Sequence, residues 1–280
     1  MAQPAALVTG ASAGIGLETA LGLARAGFRV IIAGRDGGCV EAARRAVAER
    51  SSASAVETVL ADFASLAAVR QLAEGVLAAH DRLDLLVNNA GLIAPRYRLS
   101  EDGYELTIAV NHLAPFLLTN LLLDRLRASA PARIVTVASQ AHRGARLDLA
   151  ALAGPQDWSP LKAYGRSKLC NILFTRTLAR RLAGSGVVAS CLHPGVVATA
   201  IGDRAGRIAG WGWRLAKPFL VSPAKGAETS LFLATTPDAT AFHGAYVIGR
   251  AAVQPDPAAL DDDLAERLWR DSLRLVGLPE

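Results

Sequence analysis

Cysteine is scarce in this chain: Cys39, Cys170 and Cys191 are odd in number, widely spaced, and contain no C-x-x-C pair. That pattern excludes a disulfide framework and a thiolate zinc site, and it points to a reducing compartment. The five histidines, His80, His112, His142, His193 and His243, show no H-E-x-x-H or related ligand spacing, so no metal is expected. Dense runs of like charge are also missing. The 30 Lys and Arg are interspersed with 25 Asp and Glu, which argues against nucleic acid as a partner despite a formal net charge of +5. The opening "MAQPAALVTG" has no positively charged leader region. No window holds the ~18 uninterrupted apolar residues of a membrane span. A soluble, cytoplasmic protein is the expectation.

What the chain does have is 280 residues, 51% of them hydrophobic, enough for one large core. Short apolar runs alternate with longer helical patterns: "AALVTG", "IGLETALGLARAG", "FRVIIAG", "CVEAARRAVAER", "VETVLAD", "LAAVRQLAEGVLAAH", "LDLLVNNAG". Strands this apolar are buried on both faces, as in a parallel sheet flanked by helices. The pattern continues with "ARIVTVAS", "GVVASCLHP" and "GAYVIG" as strands, and helices over 104–128, 163–183, 222–236 and 264–275. Nothing resembling a linker interrupts it. The expected fold is α/β, a doubly wound parallel sheet of Rossmann type in three α/β/α layers, forming a single domain over 1–280.

Between the first strand and first helix, "TGASAGIG" places Gly10, Gly14 and Gly16 in a G-x-x-x-G-x-G spacing. Glycines there allow a tight turn and close approach of backbone N–H groups to a pyrophosphate. Arg35 and Asp36 end the second strand, where an adenosine ribose would lie. A carboxylate there favours NAD and a guanidinium favours NADP. Arginine comes first, so NADP is expected, with NAD the alternative; Asp36 also suits a helix cap. Asp62 closes the third strand and reads equally as a cap or an adenine contact. Asn88 and Asn89 close the fourth, as turn residues or ligand contacts.

Tyr164 and Lys168 in "AYGRSKLCN" are four positions apart and share a helix face. A buried cation there stabilises phenolate over phenol, and bringing a tyrosine of pKa ~10 to neutrality takes ~4 kcal/mol. By itself the spacing also fits a snorkelling surface pair. Ser139, ending "ARIVTVAS" on the same sheet edge, could orient a substrate oxygen or serve as a turn residue.

Taken together, "TGASAGIG", Asp62, "NNAG", Asn111 in "VNHLAPF", Ser139, "YGRSK" and "HPGVVAT" at 193–199 resemble the short-chain dehydrogenase/reductase family, in its order and over nearly the whole chain. The resemblance implies Tyr164 as general acid/base, Lys168 lowering its pKa and holding the nicotinamide ribose, Ser139 orienting the reacting oxygen, and Asn111 supporting a relay water. It also implies a cofactor site of Gly10, Ser12, Gly14, Ile15, Gly16, Arg35, Asp62, Asn88, Asn89, Ala90, Gly91, Tyr164, Lys168, Pro194, Gly195, Val197 and Thr199. The long insert "RLDLAALAGPQDWSPLKAY" and the C-terminal "KGAETSLFLAT" and "RLWRDSLRLVGL" resemble the retinol dehydrogenase and WW-domain oxidoreductase branch. Ala13 stands where many NADP-binding members carry a basic residue, which leaves Arg35 as the 2′-phosphate candidate.

Residues 196–222 are expected to form a substrate lid. Trp211, Trp213, Leu215, Phe219 and Leu220 there suit lipophilic aldehydes, ketones or alcohols, or simply pack the lid down. Arg204, Arg207, Arg214 and Lys217 alternate with them, consistent at most with weak membrane-surface contact. The long apolar helices suit a homo-oligomer or burial within one subunit. The reading from another class is a noncatalytic dinucleotide-binding redox sensor or scaffold. An extended family member is a weaker rival, because its turn is usually G-x-x-G-x-x-G.

Overall fold

A computed structural model describes residues 3–52, 55–148, 157–195 and 221–279. The expected lid, including Val197, Thr199 and the residues from Arg204 to Leu220 named above, lies outside the described residues apart from Val221 and Ser222.

The strands are β1 (Ala5–Thr9), β2 (Arg29–Gly34), β3 (Val56–Leu60), β4 (Leu85–Asn88), β5 (Ala132–Val137), β6 (Val187–His193), β7 (Tyr246–Ile248) and β8 (Ala251–Ala252). They form one eight-stranded sheet in the order β3-β2-β1-β4-β5-β6-β7-β8. All pairings are parallel except β7 with β8. The helices are α1 (Gly14–Arg25), α2 (Gly37–Ser51), α3 (Leu66–Ala79), α4 (Leu106–Ala128), α5 (Pro160–Arg181), α6 (Pro223–Thr235) and α7 (Asp262–Leu275). The expected doubly wound, three-layer fold is therefore present.

Period-two alternation divides the core between the two sheet faces. From β1, Leu7 joins the cluster under α3, α4, α5 and α7, while Ala6 and Val8 join the one under α1, α2 and α6. Each fully buried Leu or Ile contributes roughly 1.5–3 kcal/mol, so both faces anchor the sheet.

The α4 helix is long and apolar enough to cross a membrane by length and composition, but 78% of its most apolar 18-residue window is buried within the protein. It serves here as a core helix. The apolar surfaces of α4 and α5 are used within the chain: Trp269 of α7 meets Phe116 edge-on at 5.0 Å and stacks on Phe174 at 5.9 Å. Arg180 pairs with Asp262 and Glu266, and Arg181 lies 4.6 Å over Trp269, sealing α7 onto α5.

Candidate active site

The sheet order reverses between β1 and β4, and the crevice at that point lies outside the carboxyl ends of the strands. Thr9, the last residue of β1, ties its two sides together. Its hydroxyl donates to the Val87 carbonyl and accepts from the N–H groups of Asn89 and Ala90, both at 3.0 Å. Asn89 returns the link through Nδ2, which donates to the carbonyls of Thr9 at 2.8 Å and Gly10 at 3.2 Å.

That closeness explains two glycines. A Cβ on Gly10, whose φ is +64°, would lie 2.7 Å from the Ala90 Cα, and one on Gly16 would lie 2.5 Å from both the Gly10 oxygen and Asn89 Nδ2. The turn delivers the N-terminus of α1 to the crevice without a side-chain cap; Ala13 holds the cap position. The other helices α2, α3, α5, α6 and α7 are capped by Asp36, Ser65, Ser159, Ser222 and Asp261. Free N–H groups at the α1 terminus, beside Ser12, Gly14 and Ile15, suit an anion.

The structure separates Arg35 from Asp36. Asp36 Oδ1 accepts from the Cys39 N–H at 2.8 Å, and that bond holds its carboxyl below the usual range. Arg35 is exposed beside it. Asp62 is also exposed and folds onto its own loop, accepting from Ala64 N–H at 2.9 Å, while Ser65 caps α3. Asn88 is buried, and its Nδ2 donates to the Thr119 hydroxyl of α4 at 2.9 Å. Adjacent strand residues face opposite ways, so only Asn89 of the pair reaches the turn.

Across the crevice, α5 brings Tyr164 and Lys168 beneath Ser139. Lys168 is 3% exposed, its Nζ donating to the Val137 carbonyl at 2.8 Å and standing 5.4 Å from the centre of the Tyr164 ring. Burial pulls its pKa down to about 8. Burial pushes the Tyr164 phenol above its ordinary range, and the Ser139 side chain opposes that shift only in part.

Asn111 lies in a π-turn spanning Ala109–Leu113 within α4. Its Oδ1 accepts from Leu92 N–H at 2.8 Å, and its Nδ2 donates to the Leu92 carbonyl and to Ser167 Oγ, each at 3.0 Å. Ser167 in turn donates to the Tyr164 carbonyl at 2.7 Å. Asn111 thus knits the Gly91–Leu92 loop to the helix that carries Tyr164. Gly91 lines the gap between them, with a Cβ there 3.7 Å from Lys168 Nζ. Pro194 and Gly195 follow β6 on the same edge, Gly195 at φ +87°.

The family model for short chain dehydrogenases matches residues 4–207 of this chain. The chain belongs to the short-chain dehydrogenase family. Human retinol dehydrogenase 13 is 41% identical over 286 aligned positions, covering 97% of this chain and 84% of that protein. A solved structure of an uncharacterised Mycobacterium paratuberculosis protein matches with TM-score 0.80 at 36% identity, covering 99% of this chain and 94% of that one. An Escherichia coli structure of short-chain dehydrogenase type, complexed with NADPH, matches with TM-score 0.71 at 25% identity, covering 89% and 97%. This short-chain dehydrogenase is an oxidoreductase acting on CH–OH and C=O groups, in a family that binds NAD(P).

Three residues that hold the surroundings of the candidate site escape sequence reasoning. Thr9 and Ser167 read as ordinary strand and helix residues, and nothing in their spacing reveals their bonds. His142 is fully buried beside Ser139, although the sequence offers no ligand pattern around it.

Proposed function

We propose that this dehydrogenase transfers hydride between NADP(H) and an apolar carbonyl/alcohol pair, a lipophilic aldehyde or ketone of the retinal/retinol kind. The observation that carries the proposal is the arrangement of Tyr164 on α5, with the buried Lys168 ammonium 5.4 Å from the centre of its ring and pinned to the Val137 carbonyl at the strand end that carries Ser139. Ser139 holds the reacting oxygen against the phenol, and Tyr164 donates a proton as a carbonyl is reduced or accepts one as an alcohol is oxidised. Lys168 stabilises the phenolate that remains. When bound, NADP(H) gives up or takes the hydride.

The residues present fit that cofactor. The uncapped N-terminus of α1, in the turn that Asn89 fixes through the Thr9 and Gly10 carbonyls, would hold the pyrophosphate, Lys168 would hold the nicotinamide ribose, and Arg35 would hold the 2′-phosphate. Commitment of Asp36 to Cys39 supports NADP over NAD, because a capping carboxylate is poorly placed to accept from two ribose hydroxyls. The retinol dehydrogenase relatives and the NADPH-bound neighbour support the same reading. Both Nδ2 hydrogens of Asn111 are taken by protein partners, so its side chain positions the Leu92 loop.

The test is the initial rate of NADPH oxidation, with NADH in parallel, over apolar aldehydes and ketones including a retinal, with Tyr164→Phe as blank. Turnover with NADPH that vanishes in the variant is expected. Demonstrable NADPH binding without turnover on any member, or equal rates in wild type and variant, would overturn the reading in favour of a dinucleotide-binding sensor or scaffold.

A further inference from the structure

His142 is fully buried in the single turn Gln140–His142 that follows Ser139, and both its ring nitrogens are engaged. Nδ1 lies 2.6 Å from the Ser139 carbonyl oxygen, and Nε2 lies 3.0 Å from the backbone nitrogen of Asp256. A backbone N–H can only donate, so Nε2 is the acceptor and Nδ1 carries the proton that goes to Ser139. The tautomer is thereby fixed by geometry.

The surroundings make this a clamp. Asp256 also accepts from Gly144 N–H at 3.1 Å, and the His142 ring packs edge-on against Tyr246 of β7 at 5.1 Å. On the opposite side the turn touches α5, where a Cβ on Gly165 would lie 2.7 Å from the Ala141 oxygen. Gly165 directly follows Tyr164. The turn that carries the Ser139 peptide is therefore wedged between the segment around Asp256 and the helix that carries the tyrosine.

The geometry points to His142 as a positioning residue: its Nδ1–H fixes the Ser139 peptide, and through it the alignment of the Ser139 hydroxyl with the Tyr164 phenol. This inference rests on the proposed roles of Ser139 and Tyr164. It differs from a merely structural role because the two bonds of His142 have different consequences. The bond to Asp256 holds the fold, and the bond to Ser139 sets the chemistry.

Two substitutions separate them. In His142→Asn the amide nitrogen occupies the Nδ1 position and keeps a donor for Ser139 while the acceptor for Asp256 is lost. In His142→Gln the amide oxygen reaches the Nε2 position and keeps that acceptor while the donor is lost. Steady-state kinetics should show kcat reduced about tenfold in His142→Gln, as expected for one misaligned polar contact, with KM for NADPH unchanged and kcat retained in His142→Asn. A second readout needs no turnover. With only four tyrosines in the chain, 13Cζ-tyrosine labelling and Tyr164→Phe assign the Tyr164 resonance. Its titration midpoint should rise in His142→Gln and stay at the wild-type value in His142→Asn.

A Tyr164 resonance unmoved in His142→Gln, or kcat losses that follow the melting temperature equally in both variants, would overturn the inference. A wild-type protein without turnover would remove the activity reading, and the resonance would still decide whether His142 sets the Ser139–Tyr164 contact.

Discussion

The Nζ of Lys168 donates to the carbonyl of Val137 at 2.8 Å, so the helix carrying Tyr164 is pinned to the strand end carrying Ser139 by a buried cation. That cation is costly. Its pKa falls from 10.5 to about 8 because burial disfavours the charged form. Between those pH values the unfolded chain binds more protons than the folded one, so this group's contribution to stability rises as pH climbs from about 8 to 10.5. Below pH 8 the full penalty applies, on the order of 3 kcal/mol. Lys168→Met should therefore raise the melting temperature at pH 7 while lowering kcat at least ~100-fold. Calorimetry and initial rates on the same preparations check this, and a lower melting temperature would show that the Val137 bond outweighs the burial cost.

The proposed preference for NADP(H) makes a prediction about one exposed guanidinium. With Asp36 occupied by Cys39 N–H, Arg35 is the charged group left for a 2′-phosphate. A charge-assisted phosphate contact contributes roughly 1.5–3 kcal/mol, or about 10- to 100-fold. Arg35→Ala should reduce kcat/KM for NADPH by that factor and leave kcat/KM for NADH unchanged. Equal losses with both cofactors would place the effect elsewhere than the phosphate.

The glycine turn makes a separate claim about the fold. A methyl group on Gly16 would collide with the Gly10 oxygen and with Asn89 Nδ2, each at 2.5 Å, and neither is the loose end of a long side chain. Gly16→Ala should lower unfolding stability by about 2 kcal/mol or more and weaken NADPH binding, because α1 must back away from β4. Urea denaturation and NADPH fluorescence titration read the two effects. By contrast, a Cβ at Gly75 on α3 meets nothing within 4 Å, so Gly75→Ala should leave both unchanged or improve stability slightly.

What the sequence made legible follows from how locally each signal is encoded. Continuous apolar strands such as "RVIIAG" and "RIVTV" announced a parallel sheet, the glycines Gly10, Gly14 and Gly16 fall within one strand-to-helix turn, and Tyr164 and Lys168 lie on a single helix. Contacts between distant elements were not legible. Asn88 and Asn89 look equivalent in sequence, yet one belongs to Thr119 and the other to the glycine turn. Ser139 could be placed at a strand end, but its carbonyl bond to His142 depends on a segment more than a hundred residues later closing over the turn. The π-turn around Asn111 had no signature either, because a one-residue widening of a helix leaves the apolar pattern of α4 intact.

His112, next to Asn111, predicts how acid will weaken the protein. It is fully buried, its Nε2 lies 2.8 Å from Ser272 Oγ on α7, and Phe116 and Phe174 pack around it. Burial pulls its pKa from 6.5 down to about 3. The unfolded chain therefore takes up a proton below pH 6.5 that the folded chain refuses, and stability drops by roughly 1.4 kcal/mol for each pH unit between 6.5 and 3. At pH 5 the loss from this one side chain is about 2 kcal/mol. Replacing it with glutamine keeps a polar group near Ser272 and removes the proton-binding site. The stability difference between pH 7 and pH 5, measured by urea denaturation, should shrink by about that amount in His112→Gln. His142 and His193, whose pKa values are also lowered by burial, act in the same direction in both proteins and cancel from the comparison. An unchanged difference would mean that His112 accepts a proton in the folded state, and that α7 can move away from α4 to solvate it.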